Sequence, residues 1–293
     1  MNRNHAHRSH PNATPPPSIP TLGTTLRLIR EDLGLTRVTA RDRHGVSSTY
    51  LYEIETDKYT PKLETLDALI AGYKVNSLLA RHLRELRSPP VDLVPSGTLR
   101  RGVTANRDWM SHLDDLQHRG VLAAYIDPIW NVLACNDLFL STMPGLEKTY
   151  SVTAWIFSPI AKEVWPDWEK EAAWNVAYDK AILGLYRNSL QVHDLIRHLG
   201  PNSEFRRLWV SSLDVNYGRD SDSLLHVRHP PNTEVVSYRL SIAPMVENMT
   251  VLLVTAIPKP SGGPGNFSTA GAGVGGVPIA AIRSQSPDGS AHG

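Results

Sequence analysis

Two short helical patterns, separated by a three-residue turn, constrain the fold of this chain more than any other feature. The patterns cover 36–44 and 48–55, and the turn between them is Gly45-Val46-Ser47. Glycine can take the positive φ that ends a helix tightly, and serine is a favoured N-cap for the next helix. This spacing predicts a helix-turn-helix, in which the second helix is the element that enters a DNA major groove.

Leucine-rich helical patterns lie on both sides of this pair. Before it, Leu22, Leu26 and Ile29 recur near the 3.6-residue period, and after it two further patterns cover 62–73 and 77–87. The segment 21–87 is therefore predicted to be an all-α domain of five helices. Within the turn motif, Leu51 and Ile54 are expected to face its core.

The opposite, outward side of the second helix defines the candidate DNA contacts. Hydroxyl and aromatic side chains can approach base edges, whereas cations suit phosphates, which position the protein without specifying sequence. We expect DNA contacts from Arg37, Arg41, Ser47, Ser48, Thr49, Tyr52 and Lys58. Tyr50 and Tyr52 could equally be packing residues. Because one short recognition helix covers a single half-site, we also expect a homodimer on double-stranded DNA.

The stretch 22–75 resembles the helix-turn-helix family of the Cro/repressor (XRE) type. Glu55 matches the family's acidic residue at the end of the recognition helix, and 57–61 matches its following loop with a proline. The stretch 36–44 is unusually polar, where the family often has a Gln and then Leu-Ala. The resemblance implies DNA binding. The alternative is a protein-interaction module in which the helical bundle docks a protein partner and binds no DNA.

A second segment, 104–259, contains all seven tryptophans of the chain. It begins with two strand patterns, at 121–126 and 129–134. Helical patterns then cover 136–142, 159–187, 190–199 and 203–210, and three further strand patterns cover 224–229, 234–243 and 249–257. Two strands, a group of helices and three strands predict an α+β domain.

Five short motifs in this segment carry a second resemblance. They are Ala124-Tyr125-Ile126-Asp127, the stretch 130–136, Pro166-Asp167-Trp168, the stretch 203–209 and His229-Pro230. With these motifs in this order, 109–258 resembles the ligand-binding domain of MmyB-like transcription regulators. The resemblance implies a PAS-like fold and a small, largely apolar ligand of the fatty-acid type. We expect this domain to bind such a ligand, to dimerise, or both, and the sequence does not separate these alternatives. The segment departs from the family at Ala123-Ala124 and at Pro231-Asn232.

We expect such a pocket to be lined by aromatic side chains, with a few polar groups for an acidic head group. The candidates are Tyr125, Trp130, Trp168, Trp209, His229 and Arg206 or its neighbour Arg207. Each has a simpler alternative. The aromatic side chains can be ordinary core residues, the arginines can lie on a solvated helix face, and His229 can hydrogen-bond within a strand-end turn.

Other classes of protein are disfavoured. The sequence lacks a Gly-x-Ser-x-Gly elbow, a phosphate-binding Gly-rich loop after a strand and a His-Glu-x-x-His motif. Its single cysteine, Cys135, excludes a disulfide framework or a thiolate metal cluster within one chain. We therefore expect neither an enzyme nor a metal or other cofactor. Without a run of about 18 apolar residues or a secretory h-region, we expect a cytoplasmic, nucleoid-associated protein and no membrane partner.

Composition divides the chain into a disordered arm at 1–20, the helical domain at 21–87, a Pro/Gly-rich linker at 88–103, the α+β domain at 104–259 and a disordered tail at 260–293. Charge follows this division. Residues 1–103 hold 15 Lys and Arg against 10 Asp and Glu, whereas 104–260 hold 14 against 18. The net charge of +1 thus averages a basic half and an acidic half. The modest basic excess predicts weak non-specific DNA affinity.

Overall fold

The computed structural model of the chain describes residues 16–220, 222–229 and 234–259. The tail expected at 260–293 and most of the arm expected at 1–20 lie outside the described residues. Within the described ranges, no helix is long and apolar enough to cross a membrane.

The N-terminal domain consists of the five expected helices. They are α1 (Leu22–Asp32), α2 (Arg37–His44), α3 (Ser48–Glu55), α4 (Leu63–Tyr73) and α5 (Ser77–Arg87). Their apolar faces meet in one core, which includes the fully buried residues Leu26, Leu51, Leu66, Leu69 and Leu83. The periodic leucines of the sequence are therefore the residues that hold this domain together.

The stretch 88–103 differs from the linker expected there, because its second half is a helix. Two helices follow the first domain, α6 (Ser96–Ala105) and α7 (Arg107–His118). Leu99 and Val103, one turn apart on α6, are buried, and the side chain of Arg100 donates a hydrogen bond to the carbonyl of Val132 at 2.8 Å. Proline and glycine signals masked this short apolar face in the sequence, and only 88–95 is irregular.

The C-terminal domain contains the expected five strands in a single antiparallel sheet. The strands are β1 (Leu122–Ile126), β2 (Val132–Cys135), β3 (Leu224–Arg228), β4 (Val235–Pro244) and β5 (Leu252–Pro258). Their order across the sheet is β2-β1-β5-β4-β3, and all neighbouring pairs are antiparallel. The first and last strands thus pair at the centre, which confirms the α+β architecture.

Six helices lie between β2 and β3. They are α8 (Asp137–Ser141), α9 (Val152–Ile156), α10 (Pro159–Val164), α11 (Trp168–Leu185), α12 (Leu190–Leu199) and α13 (Ser203–Ser211), with a short 3-10 turn at Leu146–Lys148. The single helical pattern predicted over 159–187 is therefore two helices. Pro166 interrupts it, because proline lacks the backbone N–H of a helix interior and restricts the residue before it.

The two faces of the sheet are covered by different helices. Side chains alternate between the faces along each strand, so Ala124 and Ile126 pack in the core formed with α8 to α13. Ala123 and Tyr125 point the other way and pack with α6 and α7. Every residue of β1 is consequently buried.

The helical domain packs directly on the C-terminal domain through α5 and α11. At this contact Gly184 has no room for a side chain, because a Cβ atom there would lie 2.9 Å from both His82 Cε1 and Leu86 Cδ2. Beside it, the hydroxyl of Tyr217 donates to the carboxylate of Glu85 at 2.6 Å. The two domains therefore share a packed interface.

Asp179, on α11, is a buried carboxyl without a hydrogen-bond partner among the described residues. Complete burial raises the pKa of this carboxyl well above the usual range, so it stays protonated in the folded protein. In the unfolded chain its pKa is about 3.9, and it ionises above that pH. Stability linked to this group is therefore greatest below about pH 4 and is lost as the pH rises toward the folded-state pKa.

We predict that Asp179→Asn removes this loss of stability with rising pH. The free energy of unfolding of the variant should exceed that of the wild type at pH 8 by about 1 kcal/mol or more, with a smaller difference at pH 5. Urea unfolding at the two pH values measures it. The matched control, Asp115→Asn on the exposed side of α7, should change stability by less than about 0.5 kcal/mol, and an equal effect of the two variants would contradict the prediction.

Candidate DNA-binding surface and ligand cavity

The turn between α2 and α3 has the geometry that the sequence predicts. Gly45 takes a φ of 73° as the C-cap of α2, and Val46 is buried beneath the turn. Ser47 is the N-cap of α3, with its side chain accepting the Tyr50 N–H at 3.3 Å. A contact that the sequence did not indicate adds to this: His44 Nδ1 accepts the N–H of Val46 at 3.0 Å.

Most of the expected DNA contacts are solvent-exposed. Thr49 and Tyr52 are exposed on α3, with Ser48 half-buried beside them. Arg41 on α2 and Lys58 after α3 are also exposed. Ser47 is exposed, but its hydroxyl already caps α3. The structure therefore gives Ser47 the role of a helix cap.

Tyr52 brings two of the predicted cations together. The guanidinium of Arg37 lies 5.0 Å from the centre of the Tyr52 ring, and Lys58 Nζ lies 5.2 Å from it. Tyr50 instead packs edge-on against Tyr59, with ring centres 5.2 Å apart. Of the two tyrosines that could equally have been packing residues, Tyr50 is therefore the one that packs and Tyr52 the one that is exposed.

A buried carboxylate fixes α3 to the two helices before it. Glu55 is 2% exposed and receives hydrogen bonds from Arg30 Nε at 2.5 Å, Arg30 Nη2 at 3.0 Å and Arg37 Nε at 2.7 Å. Arg30 also donates to the carbonyl of Leu35 at 2.6 Å. Arg37, expected on phosphate, is thus first a partner of Glu55. The sequence signal that could have identified Arg30 as a buried partner is its position, as a charged residue, within the apolar face of α1.

A small cavity lies in the core of the C-terminal domain, between the sheet and its helices. We call it the domain cavity. Its volume is about 50 Å³ and most of its wall is apolar. The lining residues are Trp130, Phe139, Met143, Val152, Ile156, Trp165, Glu171, Trp174, Asn175, Arg219, Leu225, Leu240 and Val254.

A tight turn aims Trp130 at this cavity. Asp127 Oδ1 accepts the backbone N–H groups of Ile129 and Asn131 at 3.0 and 2.9 Å, and Trp130 itself takes a positive φ of 63°. Its ring packs edge-on against those of Trp174 and Tyr178. The turn after β1 thus delivers one predicted ligand contact to the cavity wall.

Three buried polar atoms in the wall have no hydrogen-bond partner among the described residues. They are Trp130 Nε1, Asn175 Oδ1 and Arg219 Nε. The remaining guanidinium nitrogens of Arg219 pair with Glu171 at 2.5 and 2.7 Å, with both side chains nearly inaccessible. Buried polar atoms are nearly always hydrogen-bonded, so these two donors and one acceptor, all on residues that line the cavity, are left unsatisfied by the described residues.

The other predicted ligand residues lie elsewhere. Tyr125 is on the opposite face of the sheet, stacked on Trp109 with ring centres 5.1 Å apart. Trp168 packs against Phe157 and donates its indole N–H to the carbonyl of Ile156 at 2.7 Å. Trp168 is therefore a core residue, which is the simpler alternative. Tyr125 lies on the face away from the domain cavity because side chains alternate along the strand.

The polar candidates are also outside the domain cavity. Arg206 is half-buried on α13, and Trp209, one turn further along, faces a second cavity against α1 and α5. His229 Nε2 lies 2.7 Å from the hydroxyl of Tyr238, and the backbone N–H of His229 donates to the carbonyl of Glu234 at 3.3 Å, so His229 hydrogen-bonds the backbone as the simpler alternative expects and has a side-chain partner as well. The neighbouring Pro230 lies outside the described residues.

Glu171, Asn175 and Arg219 are the polar cavity residues that sequence reasoning missed. Glu171 and Asn175 are one turn apart on α11, and twelve residues of this helix are buried because it packs against α5, α9 and α13. A helix buried on both sides has no polar face, so the charged residue among apolar neighbours was the available signal.

Comparisons with known proteins agree with this geometry. Residues 21–83 match the model of a helix-turn-helix domain, and residues 112–260, more than half of the chain, match the MmyB-like transcription regulator ligand binding domain. Over 61 residues the chain is 34% identical to the immunity repressor protein of Bacillus phage phi105. That stretch is 20% of this chain and 42% of the length of the phage protein.

Together these matches define a DNA-binding transcription regulator with a separate ligand-binding domain, a class of protein that is generally not enzymatic. The chain belongs to the family of MmyB-like transcription regulators. Its helix-turn-helix domain supports DNA as a partner, and its C-terminal domain supports a small-molecule ligand.

We predict that Glu55→Ala destabilises the helical domain by about 3–5 kcal/mol, because it leaves the buried guanidinium of Arg30 without its partner. Chemical unfolding at neutral pH measures the loss. The matched control is Asp67→Ala, which removes an ion pair to Arg84 whose side chains are 45% and 49% exposed and should cost less than about 1 kcal/mol. Similar losses in the two variants would show that Glu55 does not hold the helices together.

Proposed function

We propose that this protein reads DNA as a homodimer through α3 and senses, in its C-terminal domain, a small apolar molecule with one polar head group, of the fatty-acid type. The observation that best supports the ligand is the set of unpartnered polar atoms in the apolar wall of the domain cavity. Since a regulator acts where the DNA is, we place it in the cytoplasm with the nucleoid.

In this proposal Thr49 and Tyr52 read base edges, while Arg41 and Lys58 contact phosphates. The exposure of all four side chains, on α3 and on the segments next to it, supports this assignment. Arg37 orients Tyr52 and is hydrogen-bonded to Glu55. It therefore shapes the surface that contacts base edges more than it neutralises phosphate. A single α3 covers about one half-site, which favours two copies of the chain on a two-fold symmetric operator.

For the ligand, the polar head would accept hydrogen bonds from Trp130 Nε1 and Arg219 Nε and donate one to Asn175 Oδ1. A protonated acid or an alcohol has this combination of donor and acceptor. Since the cavity is about 50 Å³, a long acyl chain requires side chains in the wall to move. Met143, unbranched and flexible, is the wall residue that can yield most readily.

The direct packing of α5 on α11 supports coupling between the two activities. A ligand that favours one packing of the C-terminal domain would shift the population of arrangements of the helix-turn-helix. Gly184 leaves no space between these helices, so a small displacement of α11 is transmitted to α5.

We predict that Thr49→Ala and Tyr52→Ala each reduce discrimination between the operator and unrelated DNA by about 1–3 kcal/mol, because each removes a base-edge contact. Arg41→Ala should weaken binding to all sequences alike and lower the salt dependence by about one phosphate contact. Fluorescence anisotropy with selected genomic fragments at several salt concentrations measures both, and footprinting of a dimer should show two half-sites about 10 bp apart.

The matched control is Thr104→Ala, on the exposed side of α6, which should leave DNA binding unchanged. Absence of salt-sensitive binding to any fragment by the folded protein would contradict the DNA-reading role and favour a domain that docks protein partners.

We predict that protein purified from its own host carries a small apolar molecule that native mass spectrometry detects. Asn175→Leu should lose it, because leucine has a similar volume but cannot accept the head-group hydrogen bond. Asn188→Leu, at an exposed position after α11, should keep it. An empty wild-type protein, or equal loss from both variants, would contradict ligand sensing at the domain cavity.

A further inference from the structure

A larger cavity lies between the helical domain and the C-terminal domain. We call it the interdomain cavity. Its volume is about 270 Å³. Residues of the stretch 16–20, of α1 and of α5 form one side, while α11, α13 and the segment after α13 form the other. Any molecule in it touches both domains.

The charge of this cavity is one-sided. Among its described lining residues, Lys180 and Arg27 are cations and none is a carboxylate. Arg27 is exposed at α1, whereas Lys180 is 8% exposed. An anion entering the cavity therefore meets two cations and no opposing charge from the wall.

Lys180 is incompletely compensated. Its ammonium group donates to the carbonyl of Ser212 and lies 5.7 Å from the centre of the Trp209 ring. Burial lowers its pKa to about 8, with Asp214 nearby opposing the shift. Asp214 is not within ion-pair distance of Lys180, since its carboxylate instead accepts from the hydroxyl of Ser212 at 2.6 Å. An ammonium group has three donors, so capacity for an acceptor remains.

His82 adds a polar group on the α5 side. It is 1% exposed, and its Nδ1 has no hydrogen-bond partner among the described residues. Burial, together with the positive charges of Lys180 and Arg187, lowers its pKa to about 4, so the imidazole is neutral at pH 7 and can donate one hydrogen bond. The remaining wall is largely apolar, with Leu79, Leu213 and Trp209 among its residues.

We propose that the interdomain cavity is a second ligand site, which binds a small amphipathic carboxylic acid with its carboxylate at Lys180 and its apolar part against Trp209 and Leu79. A carboxylate completes the hydrogen bonding of the buried ammonium and supplies its missing counter-charge. A neutral alcohol can accept a hydrogen bond from the ammonium but supplies no counter-charge, and a cationic ammonium head group does neither.

This site differs from the domain cavity in the charge that it offers. There, Glu171 neutralises Arg219 within the wall, and the unpartnered atoms suit a head group that both donates and accepts. In the interdomain cavity the cation has no such partner. The two cavities therefore select different head groups, an anion between the domains and a hydrogen-bond donor and acceptor within the C-terminal domain.

Three probes of equal chain length test the proposal: octanoate, octanol and octylamine, measured by isothermal titration calorimetry with the full chain and no DNA. Octanoate should bind at pH 7, and octanol and octylamine should bind at least about tenfold more weakly. At pH 8, octanoate binding should take up protons, seen as a dependence of the heat on the buffer, because the carboxylate raises the pKa of Lys180. At pH 6.5 the uptake should vanish.

Lys180→Met should weaken octanoate binding at least about tenfold and abolish the proton uptake. Methionine replaces a buried cation by an apolar side chain of similar length, so the variant is expected to fold. Arg27→Gln, at an exposed position, cannot unfold the domain and should weaken binding by a smaller factor. The matched control is Lys162→Met, which should leave octanoate binding unchanged. Lys162 also lies over an indole ring, with its Nζ 4.2 Å from the centre of the Trp168 ring, but its side chain is exposed.

Octanol binding as tightly as octanoate, or equal effects of Lys180→Met and Lys162→Met, would overturn the proposal. Octanoate binding that Asn175→Leu abolishes and Lys180→Met does not would assign the acid to the domain cavity instead. None of these measurements involves DNA, so their outcome is independent of the proposed DNA-reading role.

Discussion

The ion pairs of Glu55 with Arg30 and Arg37 are the interaction on which the rest of the structure depends. They join α1, α2 and α3 at a buried point, and a carboxylate there is tolerated only because both of its oxygens are hydrogen-bonded. The same α1 that carries Arg30 supplies residues 24–28 to the interdomain cavity. One rigid helix thus connects the reading surface around Tyr52 with the contact to the C-terminal domain, and a shift of α1 cannot occur without moving α3.

The sequence predicted those parts of the fold whose signals are local. Gly45 and Ser47 have conformational roles that depend on their own chemistry, so the turn follows from three residues, and the strands follow from short apolar runs between turn signals. The helix α6 was missed because Pro95 and Gly97 outweigh the two buried residues on its inner face. The break at Pro166 was missed because both flanking patterns are helical and continue in phase closely enough to read as one helix.

The residues that line the domain cavity were predicted less well, and the reason is physical. An aromatic side chain lines a cavity or fills a core depending on what packs opposite it, and that partner comes from distant sequence. Trp130 reaches the domain cavity because the Asp127 turn aims it there, whereas Tyr125, five residues earlier, faces α7 because the strand alternates. The polar residues Asn175 and Lys180 lie on opposite sides of α11, one toward each cavity, and neither is distinguishable in sequence from an exposed helix residue.

In the proposed function, the position of α11 makes this helix the link between ligand sensing and DNA reading. Its one side carries Glu171 and Asn175 at the domain cavity, and its other side carries Lys180 and Gly184 against α5. Close-packed interiors transmit displacement because they have no free volume to absorb it, and at Gly184 the two helices are already in contact. A ligand on either side of α11 therefore changes the free energy of the same contact. The basic excess of the N-terminal half is small, so in the proposed homodimer DNA affinity would rest on how the two helix-turn-helix domains are held relative to one another, and a shift of α11 would alter that arrangement.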